Sequence, residues 1–210
     1  MDTRAYERAV GAIASAIDRH LLAGVLANRV DRRGRPLPFM PARRAWERAI
    51  AGCATTGPRD AALLADVRRC YRSIGVPAVD SALRSIGIGS AHRAPVLEFL
   101  ERLEHAGIHG LPIGPAPSAV LANGVLAIAD AAAARTGARV FRWVDDVVFV
   151  GPGPRAASAA FDAWALALNG LGLTPHEGKL RRVVAIGEGD PGFASRCSPV
   201  GEAGRAMLRS

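Results

Sequence analysis

The sequence predicts an α+β fold in which helices pack on one face of a small antiparallel sheet. Half of the 210 residues are hydrophobic, which is enough for a packed core in one domain or in one domain with a small appendage. Apolar residues recur at three-to-four spacing in some segments and form short continuous runs in others. From residue 61 these segments follow the order strand, helices, hairpin, helix, strand.

The first 60 residues are predicted to be mostly helical. Apolar positions at helical spacing predict a helix over residues 3–27. A basic segment broken by prolines, residues 28–41, predicts a loop. Pro41 at its end favours the start of a second helix that continues to about residue 51.

The central part begins with a buried strand and continues with helices. The run "AALLADV" (61–67) has the form of a buried strand that ends in an acid. Two helices are predicted at 77–86 and 93–106. A third, long helix is predicted to extend to about Arg135, with Ser118 as its N-cap.

The last part contains a hairpin around two adjacent acids. The runs "ARVFRWV" and "VVFV" flank Asp145 and Asp146. Pro154 follows the second run and favours a helix start, and a final strand is predicted over 180–186. The helix after Pro154 carries the apolar stripe Phe161, Trp164, Leu168 and Leu171.

The charge balance favours a polyanionic partner. The net charge is +8, and arginine supplies nearly all of the positive charge, since Lys179 is the only lysine. Such an excess is typical of nucleic-acid binding, and an arginine-rich composition without a partner is the alternative. The predicted phosphate contacts lie in and after the basic loop: Arg29, Arg32, Arg33, Arg35, Arg43 and Arg44.

Cysteine use and hydropathy favour a cytoplasmic protein. The three cysteines have neither metal-ligand nor redox spacing, as expected in a reducing compartment. The N-terminal segment is charged throughout and does not resemble a signal peptide. The longest apolar stretch carries Asn123 and Asp130, so we expect no membrane span.

Three aspartates are the candidate site. Asp66 ends the first predicted strand, and Asp145 and Asp146 occupy the hairpin tip. Two-residue hairpin loops favour glycine and asparagine, and adjacent carboxylates repel each other unless a cation lies between them. If the strands are neighbours, the three carboxylates meet at one edge of the sheet. A capping role for Asp66 and a solvated turn for the pair are the alternatives.

Four segments resemble, in order, the catalytic motifs of reverse transcriptases. They are "LLADVRRCYRSI", "GLPIGPAPSAVLAN", "RWVDDVVFV" and "LGLTPHEGKL", and together they span residues 61–180. The forms "LPIGP" and "RWVDD" are most similar to the bacterial abortive-infection and anti-phage defence group. The segment "LANRV" (26–30) resembles the fingers segment of that group.

The resemblance implies a domain organisation. It divides the chain into a short fingers-like helical region (1–60), a polymerase palm-like domain with the catalytic motifs (61–187) and a C-terminal tail (188–210). The tail shows no helical periodicity and does not resemble a thumb. We therefore expect that thumb function, where it is needed, comes from another subunit.

The resemblance also implies residue roles. Asp66, Asp145, Asp146 and Lys179 would be catalytic, with Lys179 as the acid that protonates the leaving group. Two Mg²⁺ ions, or Mn²⁺ in their place, would be held by the three aspartates and the carbonyl of Val67. The ring of Tyr71 would act as a steric gate under the sugar of the incoming nucleotide. Gly114 and Pro115 would line the nucleotide site.

Two functions stay open at this stage. One is polymerisation of dNTPs into DNA, on an RNA template or without a template, in defence against phage. The other is a non-catalytic palm that binds nucleic acid or a partner protein. The three clustered carboxylates favour the enzyme, since binding alone does not need them. The tail without a thumb and Ile113, which stands where many relatives have glutamine, favour the non-catalytic palm. Arg72 also stands where many relatives have a second acid.

Overall fold

Four antiparallel strands form one sheet in the computed structural model, which describes residues 3–53, 60–114, 116–184 and 196–197. The two central strands are short apolar runs next to an aspartate, and the two edge strands each contain two arginines. The strands are β1 (Ala61–Asp66), β2 (Arg139–Trp143), β3 (Asp146–Gly151) and β4 (Arg181–Val184). Their spatial order is β2-β3-β1-β4, so β1 and β3 are the central strands.

Seven α-helices lie within the described residues, and with the sheet they confirm the α+β class. The first two precede the sheet: α1 (Thr3–Arg19) and α2 (Phe39–Cys53). Four follow β1: α3 (Cys70–Ser73), α4 (Val76–Ser85), α5 (Ser90–His105) and α6 (Ala116–Ala134). The last, α7 (Pro154–Gly170), begins at the predicted proline.

The first face of the sheet carries the main core. Leu63 and Ala65 of β1 and Val147 and Phe149 of β3 point into it. The helices α6 and α7 cover this face, and α1, α4 and α5 pack against α6 or against one another in the same core. The N-terminal residues therefore share a hydrophobic core with the sheet and its helices.

The second face of the sheet is covered in part by α2, which corrects the prediction that helices lie on one face only. Trp46 and Ile50 of α2 pack in a cluster with Leu64 and Val148, and Cys197 is buried there as well. The runs 61–65 of β1 and 147–150 of β3 are apolar at every position, so both faces of the central strands have side chains to bury. On the same face, Asp66 at the end of β1 and Asp146 at the start of β3 line an open cleft.

The N-terminal helix ends earlier than predicted. It stops at Arg19, and residues 20–27 continue as turns beside β2. The amide of Arg142 donates to the carbonyl of Gly24 at 3.1 Å. A Cβ at Gly24 would lie 2.0 Å from the carbonyl oxygen of Val140, so only glycine permits this close approach.

Two local predictions about residues of the second and third motifs are wrong. Ser118 does not cap α6, because the helix begins at Ala116, and its hydroxyl lies 3.2 Å from that of Tyr6 instead. The hairpin tip is also shifted by one residue. Trp143 pairs with Asp146, so the two-residue loop is Val144-Asp145, and Asp146 is the first residue of β3.

The long apolar helix α6 belongs to the core. By length and composition it is the one described helix that could span a membrane. Two thirds of its most apolar window is buried within the fold, as in the core helix of a soluble protein. Its polar residues Asn123 and Asp130 are buried and hydrogen-bonded.

Candidate metal and nucleotide site

The three predicted aspartates meet at one edge of the sheet. Asp66 ends β1 and lies directly opposite Asp146 at the start of β3. Asp145 occupies the adjoining turn, and its carbonyl accepts a hydrogen bond from the amide of Val67 at 3.3 Å. One carboxylate oxygen from each aspartate lies within 4.8 Å of the other two. Strand register thus brings together acids that are 80 residues apart in the chain.

The turn that carries Asp145 is strained. Val144 has a φ of 59°, which is rarely adopted by a β-branched residue. Such conformations cost roughly 1–3 kcal/mol and persist where the surrounding structure fixes them. The side chain of Val144 packs at the edge of the second-face cluster, and its carbonyl accepts a hydrogen bond from Arg142 at 2.8 Å.

Lys179 joins the acids from the segment after α7. It ends a 3₁₀ turn (Glu177–Lys179), and its Nζ donates to Oδ2 of Asp66 at 2.7 Å. The amide of His176 donates to the carbonyl of Asp66 at 2.7 Å and fixes this turn against the end of β1. The fourth motif therefore reaches the first although 113 residues separate the two partners.

Crowding of the carboxylates changes their proton affinity. Burial, followed by repulsion from Asp145 and Asp66, raises the pKa of Asp146 to about 7. Burial and the charge of Asp66 also raise the pKa of Asp145. The hydrogen bond to Asp66 raises the pKa of Lys179. In the absence of a further cation, the site thus favours states in which a proton or the ammonium group offsets the negative charge.

The cluster can bind a metal ion. Its donors are carboxylate oxygens, the ligands that Mg²⁺ and Mn²⁺ accept most readily from proteins. Asp66 and Asp146 line an open cleft of about 450 Å³, together with Leu64, Val148 and Lys179. This space leaves room for water or substrate oxygens as further ligands. Val67 follows Asp66 directly, as the predicted carbonyl ligand requires.

The second motif docks on the first. Leu111 donates its amide to the carbonyl of Tyr71 at 2.7 Å. Gly110 has a φ of +77°, and a Cβ there would lie 2.4 Å from the same carbonyl oxygen, so the glycine of the Gly-Leu-Pro loop is required by packing. Tyr71 is half-buried beside this loop, and burial raises the pKa of its hydroxyl to about 12.

The last residues of this loop include those predicted to line the nucleotide site. Gly114 is exposed with a φ of +110°, and Ile113 is also exposed. Pro115, which we expected to line the nucleotide site, lies outside the described residues, as do residues 188–195 and 198–210 of the predicted tail.

The six predicted phosphate-binding arginines divide into two groups. The guanidinium of Arg29 donates to both carboxylate oxygens of Asp18, at 2.7 and 2.8 Å, and to the carbonyl of Val25. Arg43 is buried against Trp46 and Trp143 and donates to Glu47. These two guanidinium groups are engaged within the fold. The exposed members are Arg32, Arg33, Arg35 and Arg44.

Two sets of residues around the site are not among the site residues that the sequence predicted. Arg68, Arg69 and Arg72 are exposed immediately after Asp66, and their position inside the first motif was the available signal. The other is a buried arginine, Arg142, which Asp130 and Asn123 hold beneath the hairpin. A single arginine in a strand gives no sequence signal of burial, because arginine is mostly exposed in proteins.

Comparison of the sequence with models of known protein families gives no match, and comparison with curated proteins gives none either. Functional interpretation therefore depends on the geometry of the site and on the motif resemblance.

Proposed function

We propose that this chain is a reverse-transcriptase-like nucleotidyltransferase that polymerises dNTPs into DNA. The observation that carries the proposal is the meeting of Asp66, Asp145, Asp146 and Lys179 at one sheet edge. These residues come from three segments that each resemble a catalytic motif of reverse transcriptases. The motifs most resemble those of the anti-phage defence group, so the same proposal includes a cytoplasmic role in phage defence.

The aspartates would hold two Mg²⁺ ions, with the carbonyl of Val67 as a further ligand. Bound as a pair, such ions stabilise the attacking and leaving oxygens of a displacement at phosphorus. The protein's part is to fix the three carboxylates before substrate arrives. Strand pairing fixes Asp66 against Asp146, and the turn fixes Asp145. Without metal, the three carboxylates repel each other because the sheet holds their negative charges at one edge.

Lys179 would supply a proton to the departing pyrophosphate. Lysine can give up its proton, whereas arginine effectively cannot. Its Nζ lies 2.7 Å from Oδ2 of Asp66, so the proposed proton donor is in direct contact with a proposed metal ligand. General acid catalysis of this kind contributes roughly 10²–10⁴-fold in rate. The ion pair with Asp66 also keeps Lys179 protonated until substrate enters the cleft.

Nucleic acid would approach across the exposed arginines of the N-terminal region. Arg32, Arg33, Arg35 and Arg44 offer positive charge, and Phe39 beside them is 60% exposed. An exposed ring next to guanidinium groups is suited to unpaired bases and their phosphates. The ring of Phe39 also packs edge-on against Trp143, which pairs with Asp146, so a strand held here would lie close to the acids.

The direct test is incubation of the purified chain with labelled dNTPs and Mg²⁺ or Mn²⁺, with and without RNA and with and without a primer. We expect incorporation into an acid-insoluble product. Dependence on added RNA would identify templated synthesis, and product formed from dNTPs alone would identify template-independent synthesis. Binding of nucleic acid with no incorporation under any of these conditions would favour the alternative, a non-catalytic binding module.

A further inference from the structure

A buried ion pair lies directly beneath the hairpin of the candidate site. Arg142 of β2 and Asp130 of α6 are both fully buried, and Nε of Arg142 donates to Oδ2 of Asp130 at 2.7 Å. The indole of Trp164 lies beside the same carboxylate. Burying two charges is costly, so a pair of this kind needs further hydrogen bonds to be tolerated.

Those further hydrogen bonds lead to the strained turn. Nη1 of Arg142 donates to Oδ1 of Asn123 and to the carbonyl of Val144, both at 2.8 Å. Val144 precedes Asp145 and has the positive φ described above. Asn123 in turn donates to the carbonyls of Ala27 and Asn28, at 2.9 and 3.3 Å.

At both ends, this network contacts a residue with a positive φ. Asn28 and Val144 are two of the three described non-glycine residues with positive φ. The carbonyl of each accepts a hydrogen bond from the network of Arg142 and Asn123. A strained conformation persists only where its surroundings fix it, so the network accounts for the geometry at both positions.

We propose that Arg142 is a positioning residue of the candidate metal site, held by Asp130 and Asn123, and that it fixes the Val144-Asp145 turn so that the Asp145 carboxylate faces Asp66 and Asp146. The inference rests on the proposed function, which it deepens. None of the hydrogen bonds of Arg142 goes to a carboxylate of the three aspartates. Its hydrogen bond to the turn is made to the backbone of Val144, the residue before Asp145.

Arginine is the residue that this geometry requires. Its planar guanidinium presents several donors in fixed directions, so one side chain reaches a carboxylate, an amide oxygen and a backbone carbonyl together. Lysine at position 142 would keep the positive charge beside Asp130. Its single ammonium would not maintain all three hydrogen bonds at their present spacing, so the turn would lose its anchor while the charge remains.

The test uses the full chain and Mn²⁺ alone as the probe. Titration calorimetry gives the Mn²⁺ affinity, and hydrogen exchange reports the amide of Val67, which is bonded to the carbonyl of Asp145. We expect Arg142→Lys to bind Mn²⁺ roughly 10–100-fold more weakly, as for other residues that orient metal ligands. We also expect faster exchange at Val67 and across the turn.

Arg93→Lys is the matched control. Arg93 also joins an aspartate, Asp80, to a backbone carbonyl, that of Ile88, but away from the candidate site. It should leave both the Mn²⁺ affinity and the exchange of Val67 unchanged. Asn123→Ala is a second variant in case Arg142→Lys does not fold. It keeps the ion pair, removes one partner of the same Nη1 group and should give the same two changes in smaller degree.

The outcomes separate this inference from the proposed function. Suppose the wild-type chain binds Mn²⁺ and Asp145→Asn abolishes the binding, but folded Arg142→Lys binds as tightly as wild type. The positioning role would then be overturned while the metal site stands. Unchanged exchange at Val67 in Arg142→Lys would overturn it as well. Absence of Mn²⁺ binding in the wild-type chain would overturn the metal site and with it this inference.

Discussion

Asp146 carries the clearest consequence at the scale of single residues. Its pKa is raised to about 7 in the folded chain, against about 3.9 for an aspartate in an unfolded chain. Between these two values the folded state binds more protons than the unfolded state. The stability of the metal-free protein should therefore fall as pH rises from about 4 to about 7. Asp145, whose pKa is also raised, acts in the same direction.

Urea unfolding at a series of pH values in the presence of a chelator measures this effect. Asp146→Asn should make the fall in unfolding free energy over that range smaller, because one carboxylate no longer loses a proton. Metal binding competes with the same protons, so Mn²⁺ affinity should rise with pH up to about 7. Equal pH slopes for the wild type and Asp146→Asn would contradict the assignment of the raised pKa to Asp146.

Two variants distinguish the charge of Lys179 from its ability to donate a proton. Lys179→Arg keeps a cation beside Asp66 but lacks a proton that it can give up, and Lys179→Ala lacks both. If Lys179 is the general acid, both variants should slow single-turnover incorporation by roughly 10²–10⁴-fold. Nucleotide affinity should change less for arginine than for alanine. Wild-type rates for Lys179→Arg across pH 6–9 would show that the residue is only an electrostatic contact.

At the scale of elements, Gly110 tests how the second motif docks on the first. Gly110→Ala would bring a Cβ to 2.4 Å from the carbonyl of Tyr71, in addition to the cost of a positive φ. We expect a loss of about 2–5 kcal/mol in unfolding free energy. Gly107 is the matched control, since its φ of +79° is nearly the same and a Cβ there would meet no atom within 4 Å.

Gly107→Ala should cost only the conformational part, about 1–2 kcal/mol. Denaturant unfolding of both variants gives the difference. A similar loss for the two substitutions would mean that the contact between the Gly-Leu-Pro loop and Tyr71 contributes little. A substantially larger loss for Gly110→Ala would show that this contact holds the predicted nucleotide-binding loop in place.

At the scale of the whole molecule, the net charge of +8 predicts salt-dependent binding of single-stranded nucleic acid. Each phosphate that an arginine neutralises adds about 0.7 to the slope of log affinity against log salt for a single strand. Replacing both Arg32 and Arg33 by alanine should therefore lower the slope by about 1.4, as measured by fluorescence anisotropy. Arg84→Ala removes an exposed charge paired with Asp80 on α4 and serves as the control. An unchanged slope in the double variant would exclude these two arginines from the interface.

Local patterns predicted most of the elements, but the meeting of the acids was predicted only on the condition that β1 and β3 are neighbours, as the structure has them. The short apolar runs around Asp66, Asp145 and Asp146 identify strands, and a hairpin brings its own strands together. The position of α2 could not be predicted, because the continuous apolar runs of β1 and β3 do not indicate which helix covers each face. The hydrogen bonds of Arg142 and Lys179 depend on residues in other elements, which local patterns do not report.

The central claim is that the three aspartates form a metal site for nucleotidyl transfer. The most direct test is single-turnover dNTP incorporation with Mg²⁺ for the wild type, Asp66→Asn and Asp145→Asn, with Asp162→Asn as the control from the exposed face of α7. Each site variant removes one proposed metal ligand and also relieves repulsion between carboxylates. We therefore expect that both variants melt at or above the wild-type temperature but incorporate no dNTP. Asp162→Asn should match the wild type. Incorporation near the wild-type rate by folded Asp66→Asn or Asp145→Asn would contradict the claim.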